Sequence, residues 1–149
     1  MIRIQVPATS ANLGSGFDSL GIALTMYNQV YMEVCDQIDI SSNDGVDIPT
    51  DELNLIYWSA KHLYEECGKK LPGLKIIQEN NIPMTRGLGS SSACIVAGLI
   101  GANRFLGTPL GAQDLINLAA KMEGHPDNTT PALMGGLVTS AMDGGRIYS

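Results

Sequence analysis

Strands and helices interleave along this 149-residue chain, which predicts a layered α/β or α+β fold in one domain. Three observations carry that prediction. Ile2, Ile4 and Val6 alternate with Arg3 and Gln5, the period of a half-buried strand. Leu53, Ile56, Tyr57, Ala60, Leu63, Tyr64 and Cys67 recur at the spacing of one helix face. Glycine-rich turns, above all Gly87-Leu88-Gly89, separate the periodic segments.

Taken in order, the first strand ends at Pro7, which can neither donate to a ladder nor relax its φ. Residues 8–21 follow as a loop of small, turn-forming side chains, long enough to suggest function. Residues 22–34 are rich in β-branched and aromatic side chains and read as a second strand, and Asn43-Asp44-Gly45 marks a turn. The first helix takes Thr50 as its N-cap, with Asp51 and Glu52 at the positive end of its dipole and Gly68 as its stop. Leu74–Gln78 reads as a strand. The turn at 87–89 opens a second helix to about Leu106, and a third helix covers about Ala112–Met122. Residues 135–140 read as a closing strand, and residues 143–149 as a hairpin turn with its return strand just begun, which suggests a chain cut within a longer protein.

Composition bounds the function. The chain has 44% hydrophobic and 16% charged residues and a mean hydropathy of +0.08, the balance of an ordinary globular domain. Fifteen acidic against nine basic residues give a net charge of −6, which disfavours a phosphodiester backbone as partner, so no nucleic acid is expected. One anionic nucleotide is not excluded, because backbone N–H groups bind phosphate without net charge. The longest apolar, small-residue run, Ala93 to Ala102, is about half of a bilayer span, so no membrane partner is expected either. Cys35, Cys67 and Cys94 lack the spacing of a zinc site and read as free thiols, consistent with a cytoplasmic protein.

The most informative segment is Pro83-Met84-Thr85-Arg86-Gly87-Leu88-Gly89-Ser90-Ser91-Ser92-Ala93. Its glycines let a ligand approach the main chain, and its serines stand at the opening of an apolar helix. The first amides of a helix lack internal partners and carry partial positive charge, and a phosphate satisfies both needs. No lysine follows the second glycine as in a Walker A loop, and the spacing of the dinucleotide fingerprint is absent. Serine caps on a tight strand-to-helix turn are the plain alternative.

Three motifs together resemble the homoserine kinases of the GHMP small-molecule kinase superfamily. Residues 83–92 match the superfamily pattern P-x-x-x-G-L-G-S-S-[AS] throughout. Residues 7–24 match the P-A-T-S-A-N-L-G-P-G-F-D-S-L-G-[IL]-A-L stretch of the homoserine kinases, except that Ser15 stands where proline is usual. Glu123-Gly124-His125-Pro126-Asp127-Asn128, followed by Pro131-Ala132-Leu133, resembles E-G-H-P-D-N-V-A-P-A-[IL], with Thr129 and Thr130 in place of Val and Ala. The resemblance spans residues 7–133, nearly the whole chain. It implies an α+β fold, similar to domain 2 of ribosomal protein S5, in which a mixed sheet is backed by helices. It also implies that residues 1–149 form the ATP-binding N-terminal domain, without the C-terminal GHMP domain.

The activity implied is transfer of the ATP γ-phosphoryl group to the side-chain hydroxyl of L-homoserine, a step toward threonine. ATP and Mg²⁺ are the implied cofactors, and a homodimer remains open. By the same resemblance, residues 83–93 (Pro83, Met84, Thr85, Arg86, Gly87, Leu88, Gly89, Ser90, Ser91, Ser92 and Ala93) hold the phosphates. Ser91 and Glu123 hold Mg²⁺, a hard ion suited to one carboxylate plus phosphate oxygens and waters. Asn12 and Asp18 hold the amino acid, and His125 and Asn128 approach its hydroxyl. Asn54 is implied near adenine, while Trp58 on the same helix reads as packing. Related kinases often have an aspartate general base where Asn128 stands. An amide takes no proton at neutral pH and Asp127 is the weaker candidate, so transfer without a strong protein base is expected. Other readings are another GHMP kinase, a non-catalytic nucleotide-binding fragment, or a nucleic-acid-binding S5-like domain.

Overall fold

The computed structural model describes residues 1–149. The elements are β1 (Ile2–Ala11), β2 (Leu20–Cys35), β3 (Ile38–Ser42), α1 (Leu55–Glu66), β4 (Gly73–Glu79), α2 (Ser90–Phe105), α3 (Ala112–Glu123), α4 (Thr129–Met134), β5 (Leu137–Thr139), β6 (Ala141–Asp143) and β7 (Arg146–Tyr148). The main sheet runs β1-β2-β4-β3, with β5 also paired to the long β2. All its pairings are antiparallel except β3 with β4, so the sheet is mixed. β6 and β7 form a separate hairpin. The arrangement is the α+β class.

Helix α2 is the centre of the molecule. Its buried side chains include Ala93, Ile95, Val96, Ala97, Leu99 and Ala102, and they join Val6, Val30, Met32, Ile56, Leu63, Leu74 and Ile76 in one core cluster. Two glycines set how closely the helix is held. A Cβ at Gly98 would lie 2.8 Å from the Ser59 Cβ of α1. One at Gly101 would lie 2.8 Å from Met32 Cε and 3.1 Å from Ile4 Cδ1 of the sheet. Both are shorter than ordinary carbon contacts, so α2 is wedged between α1 and the sheet at positions only glycine fits.

Several expectations are corrected. β1 does not end at Pro7 but continues to Ala11, with a register shift between Pro7 and Thr9. β1 is an edge strand with β2 as its one partner, and an edge tolerates a missing donor. The shift breaks the alternation, so Ala8 and Thr9 are both buried. The loop between the first two strands shrinks to residues 12–19. Helix α1 starts later than the acidic residues suggest. Its N-cap is Asn54, whose Oδ1 accepts from the Ile56 and Tyr57 amides at 3.0 and 3.4 Å. Asp51 instead closes the preceding turn, its Oδ1 accepting from Leu53 N at 2.9 Å. Leu53 therefore lies outside the helix and is 76% exposed, while Ile56, Tyr57, Ala60, Leu63 and Tyr64 form the buried face as expected. The closing strand is only Leu137–Thr139.

Two elements lie outside the expectations. β3 is a five-residue strand, too short to assert a period. α4 is a six-residue helix of Thr-Thr-Pro-Ala-Leu-Met, poor in helix formers, and Pro131 falls in its first turn where no amide is needed. The fully buried Thr129 and Thr130 at its start carry hydroxyls with no hydrogen-bond partner. An unpaired buried hydroxyl costs about 1–3 kcal/mol. Thr129→Val, near-isosteric and free of that hydroxyl, is expected to stabilise the fold by about 1 kcal/mol. Urea unfolding measures it, and a loss of stability would mean that the hydroxyl is bonded.

Candidate functional site

The open end of α2 faces a cavity of about 640 Å³. Its lining brings together Ala11 and Asn12 at the end of β1, Pro49 and Leu53–Leu55 before and at α1, Gln78 of β4 and Asn80 just after it, the segment Pro83–Ser92 with Cys94, and Glu123 and Asn128. Stretches far apart in the chain thus meet at one helix end.

Gly89 caps α2 in the left-handed region at φ 67°, and no side chain accepts from the first amides of the helix. Serine, a strong capping residue, occupies Ser90, Ser91 and Ser92, yet these lie inside the helix and leave its end open. The hydroxyls of Ser91 and Ser92 instead donate to Glu123 Oε1 at 2.9 and 3.1 Å. Glu123 is the last residue of α3, whose chain then turns away at Gly124 with φ 97°. A carboxylate therefore stands beside uncompensated amide donors without capping them. Arg86 is the one lysine or arginine in the lining. Donors, two hydroxyls and a single carboxylate fit a phosphate group with a hard divalent cation. No cluster of three His, Cys, Asp or Glu exists that would bind a metal without such a ligand.

Asn128 stands at the N-cap position of α4, but its side chain does not cap that helix. Its Oδ1 accepts from the Thr9 hydroxyl at 2.8 Å. Thr9, through its main-chain N–H, also donates to Leu88 O at 3.0 Å, fastening β1 to the glycine turn.

The other candidates divide. Asn12 lines the cavity, and its Oδ1 accepts from Asp18 N at 3.0 Å, so it shapes the loop that carries Asp18. Both residues adopt left-handed φ values, 58° and 53°. Asp18 is exposed and outside the cavity wall, and its carboxylate has no protein partner. His125 also lies outside the wall, half-buried, with Nδ1 bonded to the Asp127 carboxylate. Asp127 is 1% exposed, which shuts it off from the cavity. Asn54 lines the wall with every polar atom committed: besides capping α1, its Nδ2 donates to Pro49 O at 2.9 Å and Gln78 Oε1 at 2.7 Å. It can meet a ligand there only by surface contact. Trp58 stacks on His62 at 6.0 Å between ring centroids and does not line the cavity. Cys94 does line it, and burial, reinforced by the charge of Glu123, pushes its thiol up to about 11.

Sequence reasoning missed Thr9, Ser92 as a second donor to Glu123, and the amide chain Asn54–Gln78–Asn80. For Ser92 and Thr9 the signal was present, since both lie inside quoted motifs. Gln78 Nε2 donates to Asn80 Oδ1 at 3.0 Å, a side-chain pairing that a strand assignment for β4 does not reveal.

Known proteins match this arrangement. The model of the GHMP kinases N terminal domain matches residues 54–136. A protein of Desulfitobacterium hafniense named homoserine kinase is 50% identical over 139 residues, covering 92% of this chain and 47% of that protein. A solved structure from Listeria monocytogenes, titled as a homoserine kinase, superposes with a TM-score of 0.88 at 42% identity, covering 98% of this chain and 52% of that one. The homoserine kinase structure from Cytophaga hutchinsonii gives a TM-score of 0.81 at 33% identity, covering 93% and 47%. The chain spans about half the length of the curated relatives it matches. With a family model matched over more than half of the chain, and with the open helix end lying inside the matched region, the chain belongs to the GHMP kinases as their N-terminal domain.

Proposed function

We propose that the protein carrying this chain is an ATP-dependent kinase that phosphorylates the side-chain hydroxyl of L-homoserine, and that residues 1–149 provide its nucleotide-binding half. The observation that carries this reading is the uncapped mouth of α2 beside the Ser91–Glu123–Ser92 cluster. It occurs in a chain 50% identical to a protein named homoserine kinase.

Phosphoryl transfer depends on positioning and charge neutralisation more than on covalent chemistry. The amides at the start of α2 bind phosphate oxygens, and Gly87 and Gly89 let the main chain reach them. Glu123 and the Ser91 hydroxyl are the groups that would hold Mg²⁺, which when bound neutralises charge on the triphosphate. The Ser91–Glu123 hydrogen bond keeps both groups aimed at the same place beforehand. Asp18 is free to pair with the ammonium group of the amino acid, on a loop that Asn12 fixes. His125 and Asn128 stand for the neighbourhood of the hydroxyl. No carboxylate in the cavity wall other than Glu123 is available as a base, and Asp127 is bonded to His125. The proton of the alcohol therefore leaves to phosphate oxygen or to water.

Asn54, adjoining the cavity, supports adenine by contact only. A net charge of −6 supports a small-molecule substrate over nucleic acid. No helix is long and apolar enough to cross a membrane. The three free cysteines support a cytoplasmic enzyme. A homodimer is compatible with this reading.

Two substitutions test the assignment in the product of the complete reading frame. Glu123→Gln is expected to lower turnover of ATP and homoserine by roughly 100-fold or more while circular dichroism stays unchanged, since it removes the only carboxylate for the metal. Near-normal steady-state turnover would remove Glu123 from that role. Asp18→Asn is expected to raise the KM for homoserine by about tenfold or more and leave the KM for ATP in place. Equal effects on the two constants would make Asp18 a structural residue of the loop.

A further inference from the structure

Asn128 makes no use of its position. Asparagine is a favoured N-cap, yet its side chain leaves the α4 amides alone and turns to Thr9. Thr9 belongs to no wall of the cavity and is 0% exposed. Its hydroxyl has one hydrogen-bond partner, Asn128 Oδ1 at 2.8 Å. A buried hydroxyl with one neighbour must donate to it or leave its proton unpaired, at a cost comparable to a lost hydrogen bond. The carbonyl oxygen of Asn128 is therefore the atom facing Thr9, and the Nδ2 group points the other way. That group has no protein partner, and Asn128 lines the cavity.

Gly89 supports the same arrangement from the third side. A side chain there would run into the Thr9 hydroxyl and would lie 3.2 Å from Asn128 Oδ1 and 3.3 Å from Thr9 Cβ. The residue that opens α2 is thus seated directly against the Thr9–Asn128 hydrogen bond. Thr9 N also holds Leu88 O at 3.0 Å. One residue of β1 thereby fixes both the mouth of α2 and the amide of Asn128. The register shift in β1 accounts for this placement, because it turns Thr9 inward directly after the inward Ala8.

We propose that Thr9 is a positioning residue that locks Asn128 with its Nδ2 donor toward the cavity, so that Asn128 offers N–H to an acceptor oxygen there, the lone pair of the alcohol or a phosphate oxygen. This rests on the kinase reading above. It makes Asn128 an orienting donor rather than a failed base. A carboxylate at 128 would accept from Thr9 as well but would present its second acceptor oxygen to the same space, so it is the amide, held in this orientation by Thr9, that makes the position a donor.

The test combines one measurement that is independent of turnover with one that is not, both on the product of the complete reading frame. In wild-type protein, NMR is expected to show the Thr9 hydroxyl proton in slow exchange, with a cross-peak to the Asn128 side-chain amide. In Thr9→Val, that Asn128 amide signal shifts or broadens, and in Thr9→Ser it stays near its original position. A Thr9 hydroxyl in rapid exchange with solvent, or an Asn128 signal blind to Thr9→Val, overturns the proposal without any assay of activity. In kinetics, Thr9→Val is expected to lower kcat about tenfold with the KM for ATP unchanged, and Thr9→Ser to restore most of it. Combined with Asn128→Ala, Thr9→Val should add almost nothing, because both remove the same interaction. Effects that multiply would show Thr9 acting independently of Asn128 and would sink the idea. Absence of homoserine turnover in the wild type would refute the kinase reading, while the NMR result would still decide the Thr9–Asn128 assignment.

Discussion

The site depends on one constraint: helix α2 must be held so tightly along its length that its first turn can be left polar and unpaired. Gly98 against Ser59 and Gly101 against Met32 and Ile4 fix the helix between α1 and the sheet. The buried apolar side chains of α2 supply the free energy, roughly 25 cal/mol for each Å² of apolar surface removed from water. Against that background the missing N-cap is a tolerable loss of about 1 kcal/mol. A helix anchored less firmly would relax or fray at an uncapped end, and its amides would no longer converge on a fixed point.

The polar groups near the cavity fall into two kinds. Some are saturated: Asn54 uses both protons of Nδ2 and both acceptor positions of Oδ1, and Asp127 is closed off by His125. These groups hold the wall in shape. Others are left with capacity: the α2 amides, the Asp18 carboxylate, and the Nδ2 of Asn128. Only the second kind has free energy to give a ligand, because binding through a saturated group first breaks a bond that already exists. The division separates scaffold from chemistry more sharply than proximity to the cavity does.

Much of this was readable in the chain itself. The glycine-serine turn pointed to a phosphate at a helix start with serine caps as the alternative, and the structure, by placing Ser90, Ser91 and Ser92 inside α2, leaves that end uncapped. The periodicity of α1 and the glycine turn ahead of α2 were enough to place those helices, α3 was placed to within a residue, and Gly68 marked the stop of α1. What failed did so for physical reasons. Pro7 is a breaker only where a ladder needs its donor, and an edge strand does not. Asp51 and Glu52 look like a first turn, but Asn54 reaches two amides and caps α1 four residues after the expected Thr50. Thr129 and Thr130 gave no helical signal because α4 is held by burial rather than propensity. The Thr9–Asn128 contact joins residues 119 apart in sequence, and no local pattern encodes it.

The shift in β1 has an effect beyond the site. β1 is an outer strand of the main sheet, and an outer strand offers its free amides and carbonyls to any other chain that can align with them. Here that row is interrupted. Pro7 removes a donor, the bulge puts the groups on either side of it out of phase, and the amide of Thr9 is already taken by Leu88. A second molecule adding edge to edge would find no continuous register, so the irregularity that aims Thr9 inward also guards the protein against self-association by strand pairing.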